Sequence, residues 1–86
     1  MEAIKVSSRS VPKAVAGAIA AAVREEGSAE VQAVGAGAVN QAVKAISITR
    51  VFFEEENTEI VCIPSFSELE VNGEAKTGIS FIVEKR

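Results

Sequence analysis

The residues best placed to do chemistry gather around one run, Gly35-Ala36-Gly37-Ala38-Val39-Asn40-Gln41-Ala42-Val43-Lys44-Ala45. Two glycines ahead of an apolar-periodic stretch let the backbone turn sharply. They also leave the first N–H groups of the following helix uncovered, an arrangement that suits an anion. Asn40, Lys44 and Ser47 then fall together on one helical side. Upstream, Ser8, Arg9, Ser10 and Lys13 supply hydroxyls and two further cations. The run opens like a dinucleotide-binding G-x-G-x-x-G, but Asn40 stands where the third glycine belongs, and 86 residues are too few for the usual two-halved fold. No nucleotide cofactor is expected. Two readings of Gly35 and Gly37 remain: a tight structural turn, or a backbone site for a phosphate-like anion.

Other chemistries are poorly supplied. The chain has no His and a single cysteine, Cys62, so neither an intramolecular disulfide nor the usual zinc site can be assembled from one copy. Cys62 lies between Val61 and Ile63 in a strand-like run and is expected to be a buried structural thiol; no His exists to activate it. Glu54-Glu55-Glu56 reads as a solvated loop, because paired carboxylates do acid–base work only in an enclosed site. No enzyme, metal, cofactor or small-molecule substrate is expected. Net charge is −3 but uneven. Lys5, Arg9, Lys13 and Arg24 face only Glu2 in the first 24 residues, whereas residues 54 to 74 hold seven Glu and no basic residue. The apolar stretches fall short of the ~20 residues a membrane span needs, and Met1-Glu2-Ala3-Ile4-Lys5 has no signal-peptide character. A cytoplasmic protein without membrane association is the expectation.

Elements must place these residues. Ala3–Val6 alternates as a short strand. Ser7–Ser10 is a polar loop in which Ser8 or Ser10 caps a helix, with Pro12 in its first turn and Gly27 as its stop. Val15, Ile19, Ala22 and Val23 form that helix's apolar face. Glu30–Val34 is a second strand. The helix after Gly37 presents Val39, Ala42, Val43, Ile46 and Phe53 on one face. Its other apolar side carries Ala45, Ile48 and Phe52, and Ile48 and Phe52 are candidates for a subunit contact. Glu59–Ile63 is a strand apolar on both faces, and Pro64 marks it as an edge strand or ends it. Ser65–Val71 alternates, Asn72-Gly73 is a hairpin turn, and Thr77–Lys85 is the last strand.

The order β-α-β-α-β-β, with right-handed crossovers, predicts one domain over residues 1–86. It is a two-layer α/β sandwich: a mixed four-stranded sheet with both helices on one face. The loops Ser7–Val11 and Gly35–Ala38 then share the edge beyond the carboxyl ends of parallel strands, where open α/β sheets bind ligands. Pro64 and Ser65 are expected to approach that same edge.

Over essentially its whole length the chain resembles the stage V sporulation protein S family. The resemblance rests on Ile4-Lys5-Val6-Ser7, Val15-Ala16-Gly17-Ala18, the run Gly35–Ala45, and Cys62-Ile63-Pro64-Ser65-Phe66. That family is similar to the Alba-like superfamily, whose β-α-β-α-β-β proteins are dimers that bind DNA or RNA. The resemblance implies a homodimeric nucleic-acid-binding regulator of sporulation or a related developmental programme. It directs attention to Ser8, Arg9, Ser10, Lys13, Gly35, Gly37, Asn40, Gln41 and Lys44 as the nucleic-acid-binding set. Asn40 and Gln41 would bind bases or sugars, cap the helix or bridge two subunits. Alba proteins also reach nucleic acid with basic hairpin arms; here the hairpin carries Glu68, Glu70 and Glu74 against Lys76, which moves the expected contact to the loop edge. The rival reading is a protein-interaction scaffold that binds no nucleic acid, suggested by the net negative charge, the small-residue first helix and the Ile48/Phe52 side.

Overall fold

The computed structural model describes residues 2–86. The elements run β1 (Ile4–Val6), α1 (Pro12–Glu26), β2 (Ser28–Ala33), α2 (Ala36–Glu54), β3 (Ile60–Val71) and β4 (Glu74–Lys85). They form one mixed four-stranded sheet in the order β1-β2-β4-β3. β1 and β2 are parallel, and β4 runs antiparallel to both β2 and β3. The expected two-layer α/β arrangement is therefore the observed one.

Local chemistry explains the element ends. Pro12 opens α1, where a missing N–H costs nothing, and Gly27 closes it in the left-handed conformation at φ 89°. The residue preceding α1 is Val11, and no side chain caps that helix. Neither Ser8 nor Ser10 takes the capping role; Ser10 Oγ instead accepts a hydrogen bond from Ser7 N at 2.9 Å, folding the loop on itself. Asn72 and Gly73 both have positive φ, 52° and 80°, as a two-residue hairpin turn with matching twist requires.

The core is built from small residues. Ala16, Ile19, Ala20 and Val23 of α1 meet Ala38, Ala42, Ala45, Thr49 and Phe53 of α2 over Ala29, Val31, Ala33, Phe81 and Val83 of the sheet. This face of α2 is turned from the expected one. Ala45 is fully buried, while Val43 is 47% exposed and Val39 and Ile46 sit on the flank. Alanines allow the helices and sheet to approach closely, so the alanines take the contact line and the branched residues splay to its sides. Thr49, also fully buried, satisfies its hydroxyl by donating to the Ala45 carbonyl at 2.9 Å, with the Ala16 carbonyl of α1 at 3.4 Å.

β3 departs most from expectation. It is a single twelve-residue edge strand that runs straight through Pro64, which pairs in register with Phe81. An edge position tolerates the missing donor. Antiparallel partners share a face, so Cys62, Pro64 and Phe66, opposite Val83, Phe81 and Ile79, point to the helix side of the sheet. The helices do not cover them: all three are exposed, Phe66 at 83%. Cys62 is thus an exposed thiol and not a buried one. Its local surroundings still withhold enough water to push its pKa up.

Candidate functional site

The hairpin is longer than the sheet that carries it. β2 pairs with β4 only from Ser28↔Glu84 to Ala33↔Ile79, whereas β3 and β4 stay paired out to Val71↔Glu74. Residues 74–78 and their partners 67–71 therefore overhang as a two-stranded arm, roughly 16 Å long at the usual rise per residue. Since β3 is parallel to β1 and β2, the arm projects past the edge where the first loop and the start of α2 lie.

Gly78 is the joint. A Cβ there would lie 2.7 Å from the Ala33 carbonyl oxygen, 2.8 Å from Val34 Cγ2 and 2.9 Å from Leu69 Cδ1. Only a glycine lets β2, the segment after it and the arm close together at this point. Beyond the joint a cleft of about 560 Å³ opens between arm and sheet edge. Lys5, Val6, Ser7 and Ser8 line it from β1 and the first loop. Gln32, Val34, Gly35, Gly37 and Ala38 line it from the end of β2 and the start of α2, and Leu69, Glu70 and Val71 from the arm.

The first loop is fastened to α2. Gln41 Nε2 donates to the Ser10 carbonyl at 2.8 Å. Gly37 meets Ser8 so closely that a Cβ at 37 would stand 3.0 Å from Ser8 Cβ. Gly35, at φ 91°, is the N-cap of α2 in a conformation that L side chains rarely adopt. Neither helix start carries a side-chain cap or an acidic residue in its first turn, so both keep a bare positive end at this edge.

The sequence-derived residues divide accordingly. Ser8, Gly35 and Gly37 come together at the cleft. Ser10 and Gln41 form the tie that holds the loop, which uses one N–H of the Gln41 amide. Arg9 and Lys13 are exposed on the first loop and the first turn of α1, and Asn40 and Lys44 are exposed along α2; none of these four lines the cleft. Pro64 and Ser65 lie mid-sheet opposite Phe81 and Ser80, away from the edge they were expected to approach. Ile48 and Phe52 are half-buried on α2, and Phe52 packs against the core.

Sequence reading missed Lys5, Val6, Gln32, Val34, Leu69, Glu70 and Val71. The available signal was arithmetic: strands meeting at Asn72-Gly73 that are longer than a six-residue β2 must overhang it. Behind the cleft, Glu30 accepts hydrogen bonds from Ser80 Oγ at 2.8 Å and Gln32 Nε2 at 3.0 Å, and these lower its pKa.

The sequence matches the family model for stage V sporulation protein S over residues 2–86. The chain belongs to the stage V sporulation protein S family. Its membership makes it a sporulation-related protein, and the family's match extends through every element of the site, from β1 to the overhanging arm. Among the described residues of this family member, no group of His, Cys, Asp and Glu is placed to hold a metal ion. No helix among them is long and apolar enough to cross a membrane.

Proposed function

We propose that this chain is a DNA- or RNA-binding regulatory protein of sporulation or developmental control, acting without catalysis as a cytoplasmic homodimer. The observation that carries the proposal is the fastening of the first loop to the start of α2. It sets Arg9 and Lys13 beside two uncapped helix N-termini at one edge, with Lys44 and Asn40 along the adjoining helix. Cations neutralise phosphates and position the chain on the polymer; backbone N–H groups at helix starts add directional contacts. The resemblance to Alba-like proteins supports the same reading. The acidic arm does not favour an arm wrapped along the phosphates, so the backbone runs over the loop and α2. Ile48 and Phe52 supply the proposed contact between copies, Phe52 through the part of its ring that the core leaves uncovered. Salt-dependent binding of labelled oligonucleotides tests the proposal, and its absence at low ionic strength refutes it.

One observation favours a second reading, a protein-interaction scaffold. β3 exposes apolar residues on both faces, Phe66 at 83% on one and Ile63 at 51% on the other. Partners retained in a pull-down after nuclease treatment would support that role; loss of all of them would count against it.

A further inference from the structure

The cleft between arm and sheet edge differs from the cationic loop beside it. Its charges cancel, Lys5 against Glu70, and its walls include Val34, Leu69 and Val71. A polyanionic backbone gains little there, because no net countercharge awaits it. A flat, neutral, partly apolar group gains from the walls and finds hydrogen-bonding groups in Gln32 and the loop hydroxyls. One N–H of the Gln32 amide is given to Glu30, which leaves a second N–H to donate and the carbonyl oxygen to accept. At about 560 Å³ the hollow falls within the ~300–1,000 Å³ typical of sites for small ligands. Its shape depends on Gly78, which both Val34 and Leu69 of the lining approach closely.

We infer that this cleft receives one unpaired base of a single-stranded nucleic acid while the flanking phosphates stay outside on Arg9, Lys13 and Lys44. The inference rests on the nucleic-acid reading above and deepens it to a preference for strand form. A base inside a duplex is stacked and its pairing edge is occupied, so it cannot enter the cleft without being extruded. A base in a single strand is splayed out at small cost. The Gln32 amide, with one N–H and its oxygen still available, can pair with the edge of the entering base.

The test is fluorescence anisotropy at fixed low salt, with a labelled single strand, the same strand in a duplex, and the same strand carrying abasic sites. The wild-type chain should bind the intact single strand about tenfold more tightly than the abasic strand or the duplex, the gain from burying a base's apolar surface against Val34, Leu69 and Val71. Leu69→Asn and Gln32→Leu should each lose most of that advantage and leave duplex binding within about twofold. The abasic comparison uses the unaltered protein, so it holds even where a variant fails to fold. Duplex bound as tightly as single strand, or no loss with abasic sites, overturns this inference and leaves the proposed function standing. No binding of any strand overturns both.

Discussion

Gly78→Ala isolates the joint on which the cleft depends. The backbone at Gly78 is not left-handed, so an alanine there suffers no dihedral penalty and the cost is steric. Its methyl would lie 2.7 Å from the Ala33 carbonyl oxygen, 2.8 Å from Val34 Cγ2 and 2.9 Å from Leu69 Cδ1, against the roughly 3.5–4.0 Å of ordinary contact. Val34 and Leu69 can turn aside. Ala33 cannot, because it is paired with Val6 on one side and Ile79 on the other. Relief therefore requires the arm to shift as a unit. Overpacking of this kind costs about 1–3 kcal/mol, less the ~0.4–1 kcal/mol that a Gly→Ala change returns through the unfolded chain. The expected net loss is about 1.3 kcal/mol, or roughly 5–10 °C in Tm for a domain of this size. Urea unfolding with Gly17→Ala as the companion reads it directly. A Cβ at 17 meets nothing within 4 Å on an exposed turn of α1, so that variant should gain about 0.5–1 kcal/mol. A Gly78→Ala protein that gains stability as the Gly17→Ala companion does would refute the close approach and the account of the cleft built on it.

Other expectations follow from single residues. Phe53, 1% exposed with the Arg24 guanidinium 4.9 Å above its ring, should cost about 3–5 kcal/mol as Phe53→Ala, a large share of the roughly 4–13 kcal/mol expected for a chain this size, read as a lowered midpoint of urea unfolding followed by circular dichroism. Glu30 has its folded-state pKa depressed by Ser80 and Gln32, so its contribution is present above the ordinary carboxylate range and is lost as pH falls through the folded value; Glu30→Gln should flatten the acid limb of a stability–pH profile. Cys62 should be titrated by a thiol reagent in the native state, at a rate still rising above the ordinary thiol value of 9.0; complete protection without unfolding would show that something covers β3.

The elements were legible where local chemistry fixes them. Pro12 and Gly27 bounded α1, Asn72-Gly73 placed the hairpin, and the switch from alternation to helical period at Gly37 placed α2. What failed depended on neighbours. The buried face of α2 could not be read from its large residues, because the contact line is set by how closely an alanine-rich α1 approaches. Cys62 looked like a core residue, since an apolar strand carries no local sign that the helices stop short of it. The site was half visible: Ser8, Gly35 and Gly37 were found from the loop and glycine chemistry. The opposite wall was not, because Leu69 and Val71 reach the edge only through the register that carries β3 and β4 past β2.

The most direct test is anisotropy with labelled DNA and RNA, single-stranded and duplex, across a salt series, for the wild-type chain and the Arg9→Ala/Lys13→Ala double variant. The account predicts binding that weakens as salt rises. In the variant, the slope of log affinity against log salt should be smaller by about 1.4 on a single strand or about 1.8 on a duplex, the value of two lost phosphate contacts. Binding that is absent at low salt, or a variant whose slope matches wild type, would contradict the placement of nucleic acid on the loop edge.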